Sequence, residues 1–155
     1  MIKKLKVGET IPAFKIKDFE GETVTHEDLI GSPFVLYFYP KDDTPGCTTE
    51  ACEYRDAMSG FDDMDVLVIG ISPDDPKTHK KFMEKFDLNF PLLCDENLEV
   101  AKKFGAVKEK GDGEFSIERS TFLCDDEGVV LWIEQPVMVE GHVDRVMNAL
   151  DEILA

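Results

Sequence analysis

The sequence is short of positive charge, of long apolar runs and of paired cysteines, and each shortage removes a class of function. Lysine and arginine total 17 against 33 acidic residues, a formal charge of −16. Such a surface repels phosphate backbones and anionic lipid, so neither nucleic acid nor a membrane is expected as a partner. No apolar run nears the ~20 residues of a membrane-spanning helix, and the basic start Met1-Ile2-Lys3-Lys4-Leu5-Lys6 has no signal-like apolar stretch behind it. A cytoplasmic location is expected. Four cysteines without a secretory signal fit a reducing compartment better than a disulfide scaffold. None of them forms the Cys-x2-Cys pair of a zinc ribbon or a dithiol reductant, and His26, His79 and His142 lack ligand spacing. The histidines therefore receive no role, and no metal is expected. Internal repeats and low-complexity tracts are absent as well.

What remains is globular. Over 155 residues, 43% are hydrophobic and 10% aromatic, enough for one domain spanning 1–155 with a sizeable core. Phe14-Lys15-Ile16-Lys17 alternates as a half-exposed strand, and Thr23-Val24-Thr25 returns as its hairpin partner. His26 to Leu29 is a short helical turn. Phe34 to Tyr39 and Val66 to Ser72 are apolar runs of buried-strand length. A helix from Asp75 or Pro76 to Phe86, a short strand at Leu92-Leu93-Cys94 and a helix from Leu98 to Phe104 follow. Lys108 to Glu114 reads as an exposed loop. Ser120 to Cys124 and Val129 to Ile133 flank a turn at Asp125-Asp126-Glu127-Gly128, a hairpin signal. Val143, Val146, Met147, Leu150, Ile153 and Leu154 give the last helix an apolar stripe. Trp132 and the phenylalanines are expected in the core. The alternation of strands and helices makes the fold α/β with a mixed sheet.

The chain is organised around Pro40-Lys41-Asp42-Asp43-Thr44-Pro45-Gly46-Cys47-Thr48-Thr49-Glu50-Ala51-Cys52, which follows the first buried strand. Pro40, Pro45 and Gly46 break that strand, and the stretch after Gly46 suits a helix that runs through Cys52, Tyr54 and Met58 and stops near Gly60. Cys47 falls in its first turn. A sulfur there meets unpaired backbone N–H groups and the positive end of a helix dipole, both of which favour negative charge on it. Read from this context alone, Cys47 is either a nucleophile or a small buried residue.

Pro40-x3-Thr44-x2-Cys47 resembles the active-site signature of the peroxiredoxins, and Cys52, five residues on, resembles the bacterioferritin comigratory protein or peroxiredoxin Q class. The likeness extends through Phe38 to Thr48, Glu50-Ala51-Cys52 and Ile117-Glu118-Arg119-Ser120-Thr121-Phe122. Gly70-Ile71-Ser72, Phe90-Pro91-Leu92-Leu93 and Gly141-His142 match more weakly. The resemblance implies a thioredoxin-like fold with helices on both faces of the sheet. Ala106-Val107-Lys108 departs from it by lacking an aromatic residue expected at the pocket rim.

The resemblance also implies roles. Cys47 attacks a hydroperoxide and becomes a sulfenic acid; Thr44, Gly46 and Arg119 hold the peroxide oxygens, and Pro40 shields the sulfur. Glu50 orients Arg119. Cys52 resolves the sulfenic acid as an intramolecular disulfide with Cys47, reduced in turn by thioredoxin or, alternatively, glutaredoxin. No cofactor is required, and a monomer is expected, with a dimer as the alternative. Each residue also has a plainer reading: Arg119 as a surface ion pair, Glu50 as an exposed helix carboxylate, Thr44 as a turn residue, Cys52 as a spare or packing thiol. Cys94 and Cys124 end apolar runs and are read as packing. The rival functional reading is a peroxide-responsive redox sensor or thiol-regulated binding protein.

Overall fold

A computed structural model describes residues 2–154. The strands are β1 (Lys15–Asp18), β2 (Thr23–Thr25), β3 (Phe34–Phe38), β4 (Leu67–Ser72), β5 (Leu92–Cys94), β6 (Val107–Gly111), β7 (Glu114–Ile117), β8 (Ser120–Cys124) and β9 (Val130–Glu134). The helices are α1 (Pro45–Asp63), α2 (Pro76–Phe86), α3 (Glu99–Phe104) and α4 (His142–Leu154), with a 3-10 turn at His26–Leu29. Seven strands form one mixed sheet in the order β2-β1-β5-β4-β3-β8-β9. Its centre, β5-β4-β3, is parallel, and β8 joins β3 antiparallel with Phe38 opposite Ser120.

Period-two alternation in β3 divides the core. Val35, Tyr37 and the following Tyr39 face a cluster built with α1, α2 and α4. Phe34, Leu36 and Phe38 face the opposite cluster, which contains α3 and the N-terminal arm. Every residue of β3 is buried, and each such side chain contributes roughly 1.5–3 kcal/mol of transfer free energy. The strand is therefore a rigid base for whatever follows its C-terminal end.

Three local expectations change. α1 does not stop at Gly60 but continues to Asp63. A Cβ at position 60 would lie 2.9 Å from Met147 Cε, so glycine there admits α4 rather than ending the helix. Lys108 to Glu114 is not a loop: β6 and β7 pair antiparallel around Gly111, Asp112 and Gly113, all with positive φ. Four of the five residues of β6 are exposed, which removed the alternation that marks a half-buried strand. Trp132 is only half-buried, on the edge strand β9, and Phe19, Phe86 and Phe115 are also partly exposed. Ala106 and Val107 are buried in the second cluster. Among the described residues no helix is long and apolar enough to cross a membrane.

Candidate active site

The chain leaves β3 at Phe38, keeps Tyr39 packed in the core, and turns at an exposed Pro40. The turn is fixed by its buried side chains. Tyr39 Oη donates to Asp42 Oδ1 at 2.5 Å, and the Asp42 N–H donates to Asp74 Oδ2 at 2.8 Å. Fully buried His79, on α2, places Nδ1 2.6 Å from Asp42 Oδ2 and Nε2 2.8 Å from the Leu93 carbonyl. Both ring nitrogens face acceptors, so the ring is an imidazolium. Burial opposes that charge, but the bonds to Asp42 and the Leu93 carbonyl outweigh it and raise the His79 pKa to about 10. Asp42, Asp74 and His79 lie close enough to surround a cation. With both ring N–H groups already donating, however, the imidazole has no lone pair to offer one.

Thr44 is the N-cap of α1, with extended φ and ψ of −103° and 155°, and Pro45 takes the first helical position, where its missing N–H costs nothing. The first helical bond runs from Thr48 N–H to the Thr44 carbonyl at 2.8 Å. The N–H groups of Gly46 and Cys47 precede it and have no partner within the helix. Cys47 is 1% exposed. The Thr44 hydroxyl donates to the Lys41 carbonyl at 2.8 Å and keeps its lone pairs for an incoming donor.

Arg119 arrives from the other side of the sheet centre. It precedes β8, whose Ser120 pairs with Phe38 at the end of β3, so the register brings it beside the start of α1. Its NH2 donates to Cys47 Sγ at 3.3 Å and its NH1 to Glu50 Oε1 at 2.7 Å. Gly46 lies directly beneath: a Cβ there would sit 3.4 Å from NH2. Glu50 is fully buried, contrary to its plain reading as an exposed carboxylate. Burial raises its pKa to about 7 even though Arg119 favours the charge.

Sequence reasoning gave His142 no role, yet it stands behind Glu50. It is fully buried at the start of α4, with Nε2 3.0 Å from both Tyr54 Oη and Thr121 Oγ1, and Nδ1 3.0 Å from Glu134 Oε2. Burial lowers its pKa against the pull of Glu134. Glu134 is gripped in turn by Arg145, at 2.7 Å through each oxygen. The signal for both buried histidines lay in which distant acids they meet, and a linear spacing rule for metal ligands is blind to that.

All four cysteines are free thiols. Cys52 is half-buried on the same uninterrupted helix as Cys47, and its sulfur accepts from Arg55 NH1 at 3.6 Å. Five residues of regular helix hold the two Cα atoms roughly 8.6 Å apart. Cys94 and Cys124 are buried at strand ends, and burial pushes the Cys124 pKa up to about 12, as expected of an inert packing thiol. Cys47, Gly46, Glu50 and Arg119 thus share one cluster, Thr44 caps the helix that carries it, Pro40 marks the exposed turn before it, and Cys52 stands apart.

A thiol beside a guanidinium and unpaired N–H groups is built to carry negative charge and to stabilise more of it on an approaching oxygen. The model of the AhpC/TSA family matches residues 7–133. Peroxiredoxin Bcp of Bacillus subtilis is 43% identical over 152 residues, covering 96% of this chain and 97% of its own. Among solved structures, a mutant of PrxQ from Xylella fastidiosa superposes with a TM-score of 0.91 at 32% identity, covering 99% of each chain. The bacterioferritin comigratory protein of Xanthomonas campestris, studied for its alkyl peroxide reduction activity, does so with a TM-score of 0.85 at 36% identity over 90% of each. The chain belongs to the AhpC/TSA family, among the thiol-dependent peroxidases of the peroxiredoxin Bcp/Q class with their thioredoxin-like fold.

Proposed function

We propose that Cys47 is the sulfur that reduces hydrogen peroxide and organic hydroperoxides, and that Cys52 regenerates it. The single observation that carries this reading is the 3.3 Å contact between Arg119 NH2 and Cys47 Sγ, made at the first turn of a helix. The thiolate attacks the nearer peroxide oxygen, the O–O bond breaks, and the leaving oxygen departs as water or an alcohol. Arg119 and the N–H groups of Gly46 and Cys47 stabilise the charge that develops on that oxygen; the Thr44 hydroxyl accepts from the peroxide O–H. Pro40 holds the turn in front of the sulfur, and Glu50 positions Arg119. The Cys52 thiol then displaces water from the sulfenic acid to give a Cys47–Cys52 disulfide. A dithiol reductant of the thioredoxin type restores both thiols.

The alkyl peroxide reduction activity of the Xanthomonas campestris relative supports the wider substrate class. No metal, haem or flavin enters any step. The reading further takes residues 1–155 as one domain, acting as a cytoplasmic monomer.

Peroxide consumption coupled to thioredoxin, thioredoxin reductase and NADPH tests the assignment. Sustained turnover that Cys47→Ser abolishes is expected. Consumption that stops after about one equivalent per chain, with thioredoxin in excess, would overturn catalysis in favour of a redox sensor.

A further inference from the structure

Two buried side-chain atoms among the described residues lack a hydrogen-bond partner, Tyr37 Oη and Glu50 Oε2. The second points to a role. A carboxylate oxygen sealed from water without a donor is costly, and this one faces His142 Nε2 at 3.7 Å. The other Glu50 oxygen accepts from Arg119, the same guanidinium that reaches the Cys47 sulfur. His142 is fixed from its far side: Nδ1 meets Glu134 Oε2, and Glu134 is already paired with Arg145. An ionised acceptor at that distance makes Nδ1 the nitrogen that always carries a proton. Nε2 is then a lone pair in the neutral ring and a second N–H in the cation. Tyr54 and Thr121 hydroxyls can serve either form, because a hydroxyl both donates and accepts. Glu50 has no such freedom: ionised, its Oε2 needs a donor; protonated, it needs an acceptor. Nε2, at 3.7 Å, lies just beyond hydrogen-bond reach and becomes one or the other when the pair closes by a few tenths of an ångström.

We propose that His142 is a positioning residue for peroxide reduction: it shares one proton with Glu50, and the seat of that proton sets how much of the Arg119 charge is left for Cys47. The inference rests on the roles assigned above to Cys47 and Arg119. The exchange is balanced within the pair, Glu50 Oε2–H and neutral His142 giving a Glu50 carboxylate and a His142 imidazolium. With the proton on Glu50, Arg119 faces a neutral carboxyl on one side, and its charge acts on the sulfur and on the oxygen that turns negative. With Glu50 ionised, the same guanidinium is partly neutralised from behind.

The surroundings favour the first arrangement. On its own helix Glu50 feels Glu53 and Tyr54; from other elements it feels Arg119, whose other nitrogen reaches Cys47, together with Tyr37 on β3 and Glu134 on β9. On α4 it meets His142, with Arg145 behind. Burial, Glu53 and Glu134 oppose ionisation of Glu50, and Arg119 favours it. Burial and the two arginines, Arg119 and Arg145, oppose the imidazolium, and Glu134 favours it. A neutral carboxyl facing a neutral imidazole is the form with fewest buried charges.

The reduced full-length chain, labelled with ¹³C in glutamate side chains and ¹⁵N in histidine rings, is titrated by NMR from about pH 5 to about 9, the range in which such a pair loses its shared proton to solvent. The Glu50 carboxyl and the His142 Nε2 are expected to report the same titration. In parallel, the stopped-flow rate of Cys47 oxidation by hydrogen peroxide is measured and divided by the thiolate fraction read from ultraviolet absorbance. That quotient is expected to fall several-fold as Glu50 ionises. In His142→Gln, whose amide N–H donates to Oε2 and favours the carboxylate, the fall moves about one pH unit lower. Should that variant not fold, the labelled wild-type chain decides alone. Independent titrations of Glu50 and His142, or a quotient flat with pH in the active wild-type enzyme, overturn the proposal. A paired titration in a chain whose Cys47 does not react with peroxide overturns the reading of the site, and the positioning role with it.

Discussion

Arg119 binds Cys47 and Glu50 with different nitrogens of one guanidinium, 3.3 Å from the sulfur and 2.7 Å from Glu50 Oε1. Its donors are coplanar and its charge permanent, so orientation by Glu50 and stabilisation of sulfur are the same act. Arg119→Ala is expected to leave the fold intact and to lower the rate of peroxide reduction by about 10²–10³-fold, the usual loss for a donor aimed at a developing oxyanion. Steady-state turnover with circular dichroism as the folding control checks it. Near-wild-type turnover in the folded variant would remove Arg119 from the mechanism.

Cys52→Ser is expected to react with a single equivalent of peroxide and then to stall, with a sulfenic acid on Cys47 that dimedone traps. Mass spectrometry of the adduct is the measurement. Normal thioredoxin-dependent turnover in this variant would show that Cys52 is dispensable as the resolving thiol.

Oxidation is expected to unwind the start of α1. A disulfide tolerates a Cα separation of about 7 Å at most, and regular helix holds residues 47 and 52 roughly 8.6 Å apart. Amide hydrogen exchange across residues 45–52 should therefore quicken sharply in the disulfide form, while the turns from Tyr54 onward keep their protection. An oxidised structure with the bond made and the helix unchanged contradicts this.

Stability is expected to fall in mild alkali through His79. Its pKa is raised on folding from 6.5 to about 10, so the folded state holds this proton more tightly than the unfolded chain does. The resulting stabilisation is complete below about pH 6.5 and is lost as pH rises through about 10. Thermal melts of wild type and His79→Gln between these limits test it: the advantage of the wild type should shrink steadily with pH. A constant difference in melting temperature would mean that His79 is held neutral.

The sequence revealed those parts of the site that are local or strongly patterned. The aromatic and branched run of β3, the Pro45-Gly46 break and Cys47 lie within a few residues of one another, and Arg119 was found through its similarity to a known segment. What stayed hidden depends on the packing of distant elements. Nothing in the sequence says that His79 on α2 will close on Asp42, or that His142 will stand behind Glu50. Gly60 reads as a helix stop until Met147 is seen against it. The β6–β7 hairpin was missed because its exposed charges follow no alternation, although Gly111-Asp112-Gly113 is the kind of sequence that turns a hairpin.

The tie between Asp42 and His79 also bears on how α1 would re-form after the opening expected on oxidation. It lies just upstream of the segment expected to open, and Tyr54, stacked on Tyr37 at 4.6 Å between ring centres, lies just downstream. Residues 43–53 are thus a span strung between two fixed posts. Fixed ends trim the conformational entropy that such a span gains on release, by about 2 kcal/mol relative to a free end. A span opened in this way would be a short bridge rather than a frayed end, and its tethered ends narrow the search by which the helix re-forms.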